Sequence, residues 1–266
     1  MPELEPYRTL RRPFDHIKEK IFVAEGDKVV RRLLASGLTV ISILLTPRWY
    51  EQLFSGGEPT GPGSLSKLHD TSIYIAEREL LDSIVGIRLH QGVMAVARVP
   101  EARPLEDIIR ALKPPHLLVA LEGLVSAENV GVVVRNCAAF GVDAVIVGET
   151  SSSPYLRRAV RNSMGTVFGL PVVHVPDLAQ TLRALPVFGV TMIVAAAPGG
   201  DVTMQEIDLK QNLCLVLGNE GGGISTKILE LCHKRVAIPM AEGVDSLNVA
   251  SASAVFLYEA ANARAR

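Results

Sequence analysis

Residues 213–225 read LCLVLGNEGGGIS, and this stretch decides the fold class. A continuous apolar run is typical of a strand buried on both faces, and here it leads directly into a glycine-rich loop. Similar runs occupy the rest of the C-terminal half, with helical patterns between most of them: HLLVALEGL, DAVIVG, LPVVHV, VTMIVAAA and RVAIPM. Strands that alternate with helices predict a parallel sheet covered on both faces, so the fold class is α/β.

The N-terminal part of the chain carries a second α/β pattern. Strand-like runs are FVAEG, TVISILLTP, IYIAE and GVMAVARVP, and the helical run DKVVRRLLASGL ends in Gly37. Between the two patterns, VPEARPLEDIIRALKPPH contains four prolines and mixed charges, which is typical of a connector with one short helix. We therefore expect a small domain over 1–100, a linker over 101–115 and a larger domain over 116–266.

Composition excludes several classes of protein. Of the 266 residues, 48% are hydrophobic, which excludes a disordered chain. The 27 Lys and Arg are balanced by 28 Asp and Glu, which excludes a protein that binds nucleic acid through bulk positive charge. A polyanionic partner must therefore be held by local clusters. The three cysteines, Cys137, Cys214 and Cys232, fit no zinc pattern. The sequence contains no apolar membrane span and no secretory signal. The cysteines are therefore predicted to be reduced, buried thiols in a cytoplasmic protein.

The first strand end that could carry chemistry is LEGLVSAENVGVVVRNCAAFGV, residues 121–142. Asn129 precedes an apolar helix, which predicts a helix N-cap. Arg135 lies two turns further along, and Gly131 leaves an open face beside it. Two interpretations of Arg135 remain: a buried ion pair, or a contact to an anion or a sugar.

The second strand end is the loop that follows LCLVL. Its glycines allow a ligand to approach the backbone. No Lys-Ser or Lys-Thr follows at the spacing of a P-loop, GxGxxG does not fit, and Glu220 would repel phosphate. The loop predicts a ligand that is not an anion and that is contacted through backbone groups. A plain strand–turn–helix connection remains the alternative.

The third strand end is VAIPMAEGVDSLNVASASAVFLYEA, residues 236–260. The strand is expected to end at Ile238-Pro239. A long helix should begin near Asp245 and Ser246, either of which is a good N-cap. Asn248 would then lie in the first turn, where its amide can contact a ligand. The small residues after it allow another backbone to pack closely.

Together, the three segments resemble the motifs of the SpoU (TrmH-like) branch of SAM-dependent RNA ribose 2′-O-methyltransferases. The first is Asn-x-Gly-x-x-x-Arg, the second is Gly-Asn-Glu-Gly, and the third is Ile-Pro-Met followed by Ser-Leu-Asn-Val. Residues 22–37 and 89–100 are similar to the small L30-type substrate-binding domain of members that act on ribosomal RNA. The resemblance covers nearly the whole chain.

This resemblance implies a parallel sheet with a C-terminal deep trefoil knot of the SPOUT type, and a homodimer. It implies S-adenosyl-L-methionine as the cofactor and no metal. The cofactor would touch the backbone at three positions, with three more residues nearby. These are Gly218, Ile238 and Leu247, and then Ala196, Asn219 and Met240.

The resemblance also implies roles in catalysis. Guanidinium keeps its proton in proteins, so Arg135 is expected to grip the adjacent phosphate and orient the 2′-hydroxyl. Glu220 or a water would take the proton. The ribose would be fixed by Asn129, Ser246 and Asn248.

Two basic clusters are candidates for RNA binding, although each is also compatible with an ordinary solvated surface. One contains Arg157, Arg158 and Arg161, and the other contains Arg11 and Arg12. The expected substrate is 23S-type ribosomal RNA. Three alternatives remain: transfer to tRNA, a non-catalytic RNA-binding protein of the same fold, and a nucleotide-binding enzyme that uses the glycine loop for phosphates.

Overall fold

The chain forms two compact units in a computed structural model that describes residues 2–55, 68, 70–86 and 91–265. The first unit contains Met1–Glu101 and Tyr155–Gly169, and the second contains Ala102–Pro154 and Leu170–Arg266. The sequence pattern assigns 155–169 to the larger domain, whereas the structure groups this segment with the first unit. Of the run compared with the L30-type domain, residues 89 and 90 lie outside the described ranges.

Ten strands and eleven α-helices lie in the described residues. The strands are β1 (Ile21–Glu25), β2 (Val40–Leu45), β3 (Ser72–Ile75), β4 (Val93–Arg98), β5 (Leu117–Leu121), β6 (Ala144–Val147), β7 (Val172–His174), β8 (Met192–Ala196), β9 (Leu213–Leu217) and β10 (Lys234–Val236). The helices are α1 (Glu5–Arg8), α2 (Pro13–Lys18), α3 (Asp27–Ser36), α4 (Pro47–Tyr50), α5 (Arg78–Val85), α6 (Leu105–Ala111), α7 (Ala127–Ala139), α8 (Arg157–Asn162), α9 (Leu178–Ala184), α10 (Thr226–Leu229) and α11 (Val249–Arg264). Each strand-like run of the sequence overlaps one of these strands, so the predicted strands are confirmed.

The first unit is built on a four-stranded sheet in the order β1-β4-β2-β3. Strand β4 is antiparallel to β1 and β2, while β2 and β3 are parallel. Helix α3 follows β1 and ends at Gly37, whose φ of 81° is the left-handed conformation that favours glycine. Helix α8 packs against β1. Phe22 of β1 also contacts the rings of Tyr155 and Phe168, with centroids 5.5 and 5.4 Å away, so segment 155–169 completes this core.

The second unit is built on a six-stranded sheet in the order β10-β8-β9-β5-β6-β7, and all five pairings are parallel. Every residue of β5, β6 and β9 is buried. This confirms the parallel sheet predicted from the continuous apolar runs, because a strand covered on both faces needs no polar side.

Two helices of the second unit are joined by a buried polar contact. The side-chain amide of Asn136 on α7 donates to the Ala250 carbonyl at 2.8 Å and to the Ser253 hydroxyl at 2.9 Å, both on α11. Ala250 and Ser253 are buried, so the small residues of α11 do allow close packing, as expected. The far end of α11 is held by Arg264, which donates to three backbone carbonyls: Pro115, His116 and Gln211. Both ends of the helix are therefore fixed.

Two sequence expectations differ from the structure. The linker expected over 101–115 contains the short helix predicted there, α6, but its Leu105, Ile108 and Ile109 are buried in the core of the second unit. This helix is amphipathic, so its apolar face packs instead of remaining solvated. The strand expected to reach Ile238-Pro239 ends at Val236, and proline cannot donate to a sheet ladder.

The cysteines are structural. Cys137 and Cys214 are buried, and Cys232 is half-buried. Burial raises the pKa of the Cys137 and Cys214 thiols, and it raises that of Cys232 to about 11. All three thiols are therefore protonated and weakly nucleophilic at neutral pH. Among the helices of the described residues, none is both long and apolar enough to cross a membrane.

Candidate functional site

Four adjacent strands bring the predicted loops to one edge of the second sheet. In the parallel register, Leu121 of β5 pairs with Leu217 of β9, Leu217 pairs with Ala196 of β8, and Ala196 pairs with Val236 of β10. The residues that follow these strands therefore leave the sheet at the same level. In open parallel sheets, ligands bind outside these carboxyl ends.

The loop after β5 leads into α7, and its cap corrects one expectation. The N-cap of α7 is Ser126, whose hydroxyl accepts the Asn129 backbone N–H at 3.2 Å. Asn129 is therefore the third residue of the helix and not its cap. Because Ser126 performs the capping, the Asn129 amide is free to bond elsewhere.

Helix α11 begins later than the sequence suggests. Its N-cap is Asn248, whose side-chain oxygen accepts the Ala250 backbone N–H at 2.9 Å. The expectation that Asp245 or Ser246 caps this helix is wrong. Both lie in the exposed loop before it, and Asn248 lies at the boundary instead of in the first turn. Asparagine is as good a cap as serine or aspartate, so sequence alone does not choose among the three.

A hydrogen-bonded chain joins the three predicted motifs. The Asn248 side-chain amide donates to the Asn129 side-chain oxygen at 3.3 Å, and the Asn129 amide donates to Glu220 Oε1 at 2.7 Å. One residue comes from each motif, and all three are part of the second unit. Their bonds fix which way each amide faces and leave the second oxygen of Glu220 available as an acceptor.

Asn219 organises the loop that carries Glu220. Its side-chain oxygen accepts the N–H groups of Gly221 and Gly222 at 2.9 and 2.8 Å, and its amide donates to the Gly123 carbonyl at 2.7 Å. The side chain therefore ties the β9 loop to the β5 loop. A Cβ on Gly218 would lie 2.6 Å from the Gly223 carbonyl oxygen, so close packing within the loop already requires glycine there.

A second contact between these loops was not anticipated. The Glu122 carboxylate accepts the Ser225 backbone N–H at 2.9 Å and its hydroxyl at 2.5 Å. Glu122 directly follows β5, and Ser225 is the N-cap of α10. A polar residue immediately after a buried strand is the signal that could have identified Glu122, since such residues lie at the ligand-binding edge.

Two predicted catalytic residues do not join the hydrogen-bonded chain. Arg135 is exposed on α7. It is six residues beyond Asn129, so it lies about 240° around the helix and about 9 Å along it. The interpretation of Arg135 as a buried ion pair is therefore wrong. Ser246 is also exposed, and its hydroxyl bonds to no residue in the part of the chain that the structure describes.

The loop after β10 offers backbone donors. Residues 237–248 form neither helix nor strand. Within the described ranges, the backbone N–H groups of Ile238, Met240 and Leu247 donate to no protein acceptor. Free backbone donors are usually paired with solvent or a ligand. Ala196 ends β8 and Gly218 directly follows β9, whereas Ile238, Met240 and Leu247 lie in the loop after β10. The roles of these residues and of Asn219 in cofactor binding stay predictions.

The predicted basic residues differ in what they contact. Arg157 is largely buried, and its guanidinium lies 2.5 Å from Glu25, which is also buried. Arg161 lies 3.4 Å from the other oxygen of Glu25, with 55% of its side chain exposed. Arg11 and Arg12 are exposed. Arg157 is thus the least available of them for an RNA phosphate, and Glu25 is a residue that sequence reasoning missed.

No group of three or more His, Cys, Asp or Glu side chains is arranged to hold a metal ion within residues 2–55, 68, 70–86 and 91–265. The polar groups at the strand ends are amides, the carboxylates of Glu122 and Glu220, and backbone N–H groups. These suit a ligand with its own polar atoms.

Comparison with known proteins matches this architecture. A protein named an uncharacterized tRNA/rRNA methyltransferase in Mycobacterium bovis is 32% identical over 97% of this chain and 88% of its own length. The 23S rRNA (guanosine-2′-O-)-methyltransferase RlmB of Nitrosomonas europaea is 34% identical over 74% of this chain and 75% of its own.

Solved structures agree. The SpoU methyltransferase AviRb of Streptomyces viridochromogenes is 26% identical and covers 100% of this chain and 98% of its own, with a TM-score of 0.84. An AdoMet-bound rRNA methyltransferase of Sinorhizobium meliloti is 25% identical over 97% and 94% of the two chains, with a TM-score of 0.80. The sequence profile of the SpoU rRNA Methylase family matches residues 116–258. The chain belongs to the SpoU rRNA Methylase family.

Proposed function

We propose that this protein transfers a methyl group from S-adenosyl-L-methionine to a ribose 2′-hydroxyl of RNA. The observation that carries the proposal is the hydrogen-bonded chain from Asn248 through Asn129 to Glu220, which joins the three family motifs at one sheet edge. The relatives named above as methyltransferases, one of them specific for a guanosine 2′-oxygen of 23S rRNA, support the same reaction.

The strand ends fit the cofactor. The free backbone N–H groups of Ile238, Met240 and Leu247 can bond its polar atoms, and Ala196 and Gly218 lie where the adjacent strands β8 and β9 end. When bound, the cofactor supplies an activated methyl group on a sulfonium. Glu220 carries the opposite charge to that sulfonium, which favours this ligand over a phosphate.

The protein residues would act mainly by positioning. Asn129 and Asn248 have fixed orientations, so they can hold ribose hydroxyls at defined positions, and Ser246 can add a hydroxyl contact. Holding reactants in line contributes roughly 7–11 kcal/mol to lowering such barriers. Glu220 is held by Asn129 through one oxygen, and its other oxygen or a water takes the proton of the 2′-hydroxyl.

Arg135 binds the adjacent phosphate and orients the attacking hydroxyl, because a guanidinium does not lose its proton in proteins. Its exposed position away from Asn129 favours a homodimer, in which Arg135 of one copy serves the site of the other. Leu247, in the loop just before α11, is 39% exposed, and Tyr258 of α11 is 55% exposed, which supports a protein partner there. A C-terminal trefoil knot is part of this proposal.

The favoured substrate is ribosomal RNA of the 23S type, and the site of action is the cytoplasm. The first unit would act as an L30-like RNA-binding domain. Its exposed Arg11 and Arg12 precede Phe14, which is 81% exposed. Arginines bind phosphates, and an exposed aromatic ring offers a surface on which a base can stack. The RlmB relative supports ribosomal RNA over tRNA.

Calorimetry with S-adenosyl-L-methionine and transfer of a labelled methyl group to ribosomal RNA test the proposal. We expect one cofactor site per chain. Arg135→Ala should lower transfer by about 100- to 1,000-fold, as for the loss of one transition-state contact, and leave cofactor affinity unchanged.

The matched control is Arg183→Ala, which removes an exposed arginine from α9. It should retain wild-type transfer. No heat with the cofactor or its demethylated product would overturn the cofactor assignment. Wild-type transfer by Arg135→Ala would overturn the role of Arg135.

A further inference from the structure

The first unit contains a partly enclosed cavity of about 260 Å³ beside β1 and α3. Its polar walls are Glu25, Lys28, Gln91 and Arg161, and its apolar walls are Val29 and Met164. All of these residues belong to the first unit, and none lies in the three family motifs. The catalytic proposal gives the cavity no role.

The charges around the cavity are unbalanced. Glu25 is the acidic residue of its lining, and the nearly buried Arg157 neutralises it at 2.5 Å. Arg161 approaches Glu25 only at 3.4 Å and keeps 55% of its side chain exposed. Lys28 is exposed and lies within 4.0 Å of no carboxylate in the described residues. Lys28 therefore remains available to an anion, and the exposed Arg161 can share its charge between Glu25 and that anion.

The walls of the cavity are held in place. Gln91 accepts the Asp27 backbone N–H at 2.7 Å through its side-chain oxygen, so this bond uses the first N–H of α3 and leaves the Gln91 amide as a donor. On the other side, Arg32 donates to the Met164 carbonyl at 2.7 Å. Met164 has a φ of 54°, a conformation that a non-glycine residue keeps only when its surroundings impose it.

We propose that this cavity binds a single unpaired nucleotide of the RNA substrate. Lys28 and Arg161 hold its phosphate, the half-buried Met164 contacts one face of its base beside the buried Val29, and the Gln91 amide donates to the base edge. The volume is just below the roughly 300–1,000 Å³ of pockets for drug-sized ligands, and the cavity is partly open, so it can hold one nucleotide with part of it in solvent and it excludes a duplex. The inference rests on the proposed function only in taking RNA as the substrate.

The test uses the full chain with labelled Val and Met methyl groups, titrated with uridine monophosphate. This nucleotide avoids the adenosine that the cofactor contains. We expect the methyl resonances of Val29 and Met164 to shift, while Val187, an 82% exposed residue of the second unit, does not. Inorganic phosphate alone should shift them less at equal concentration. Equal shifts with phosphate, or no shifts with the nucleotide, would overturn the proposal.

Charge reversal supplies the second arm. Lys28→Glu should weaken uridine monophosphate binding and the affinity for ribosomal RNA at least tenfold, whereas Lys210→Glu, the same change at an exposed lysine of the second unit, should weaken neither. If wild-type protein transfers methyl groups and Lys28→Glu binds RNA equally well, only the cavity proposal fails. If wild-type protein binds the nucleotide but transfers no methyl group to RNA, the proposed function fails instead.

Discussion

Glu25 and Glu220 each precede a glycine between a strand and a helix, and the chain uses these two carboxylates in opposite ways. After β9, Glu220 is exposed and accepts one neutral hydrogen bond from Asn129. At the end of β1, Glu25 is 8% exposed and lies between two arginines, Arg157 and Arg161. The first carboxylate is oriented by an amide, and the second is neutralised by charge.

The difference shows which carboxylate the fold depends on. Substitution of an exposed carboxylate that is held by a neutral amide should change the free energy of folding little, so such a residue can serve ligand binding or catalysis instead. A buried carboxylate whose partner is removed leaves an uncompensated charge, and that is costly. We therefore expect substitutions near Glu220 to affect ligand binding first and substitutions near Glu25 to affect folding first.

Removing Arg157 gives the largest expected effect on stability. Arg157→Ala leaves Glu25 with only the more distant Arg161, and it should lower the free energy of unfolding by about 3 kcal/mol, the lower end for a broken buried pair. Denaturant unfolding measures the loss. The control is Arg161→Ala, which should cost about 1 kcal/mol or less because this arginine is 55% exposed. Equal losses for the two variants would break the comparison.

The glycine loop after β9 offers a matched pair of smaller changes. Gly218→Ala places a Cβ 2.6 Å from the Gly223 backbone, so it should cost about 1–3 kcal/mol and weaken cofactor binding. Gly221→Ala meets its nearest atom, the Asn219 side-chain oxygen, at 3.6 Å and should be tolerated. Thermal unfolding and calorimetry with S-adenosyl-L-methionine measure both effects. If both alanine variants unfold and bind the cofactor like the wild type, the close packing at Gly218 does not hold the loop.

The same contrast explains how far sequence reasoning reaches. The strand LCLVL and the parallel sheet are predictable because burial on both faces leaves a continuous apolar run. Asn129, Glu220 and Asn248 are predictable as a group because the motifs fix their spacing. The pairing of Glu25 with Arg157 is not predictable, since it joins residues 132 positions apart and the local sequence around either residue does not indicate its partner. The helix caps at Ser126 and Asn248 were missed because several neighbouring polar residues cap equally well.

The smallest expected effect is a pH dependence of folding stability that comes from His16 in the first unit. Burial lowers the pKa of His16. A hydrogen bond with the Pro6 backbone and the charges of Glu19 and Asp15 act against this shift, and Arg157 adds a smaller lowering. The pKa of His16 in the folded protein is thus below the unfolded value, so the unfolded state binds more protons. Stability should be fully present above about pH 6.5 and decline as the pH falls below it.

His16→Gln isolates this contribution, because glutamine can still bond to the Thr9 hydroxyl, which lies 3.1 Å from the His16 ring nitrogen, but does not titrate. Unfolding midpoints measured between pH 7.5 and 5.5 should fall less steeply in the variant than in the wild type. If the unfolding midpoint falls equally steeply with pH in both proteins, His16 does not cause the loss of stability.

Segment 155–169 also bears on how such proteins can be recombined. The backbone passes between the two units at 101/102, 154/155 and 169/170, so the first unit is not a continuous stretch of gene. A chimera that exchanges only residues 1–101 would leave Arg157, Tyr155 and Phe168 facing a foreign surface that lacks Glu25 and Phe22. The first unit is discontinuous in sequence, so a graft that moves it intact must carry both pieces together, and a protease cut at one crossing would not separate the two units.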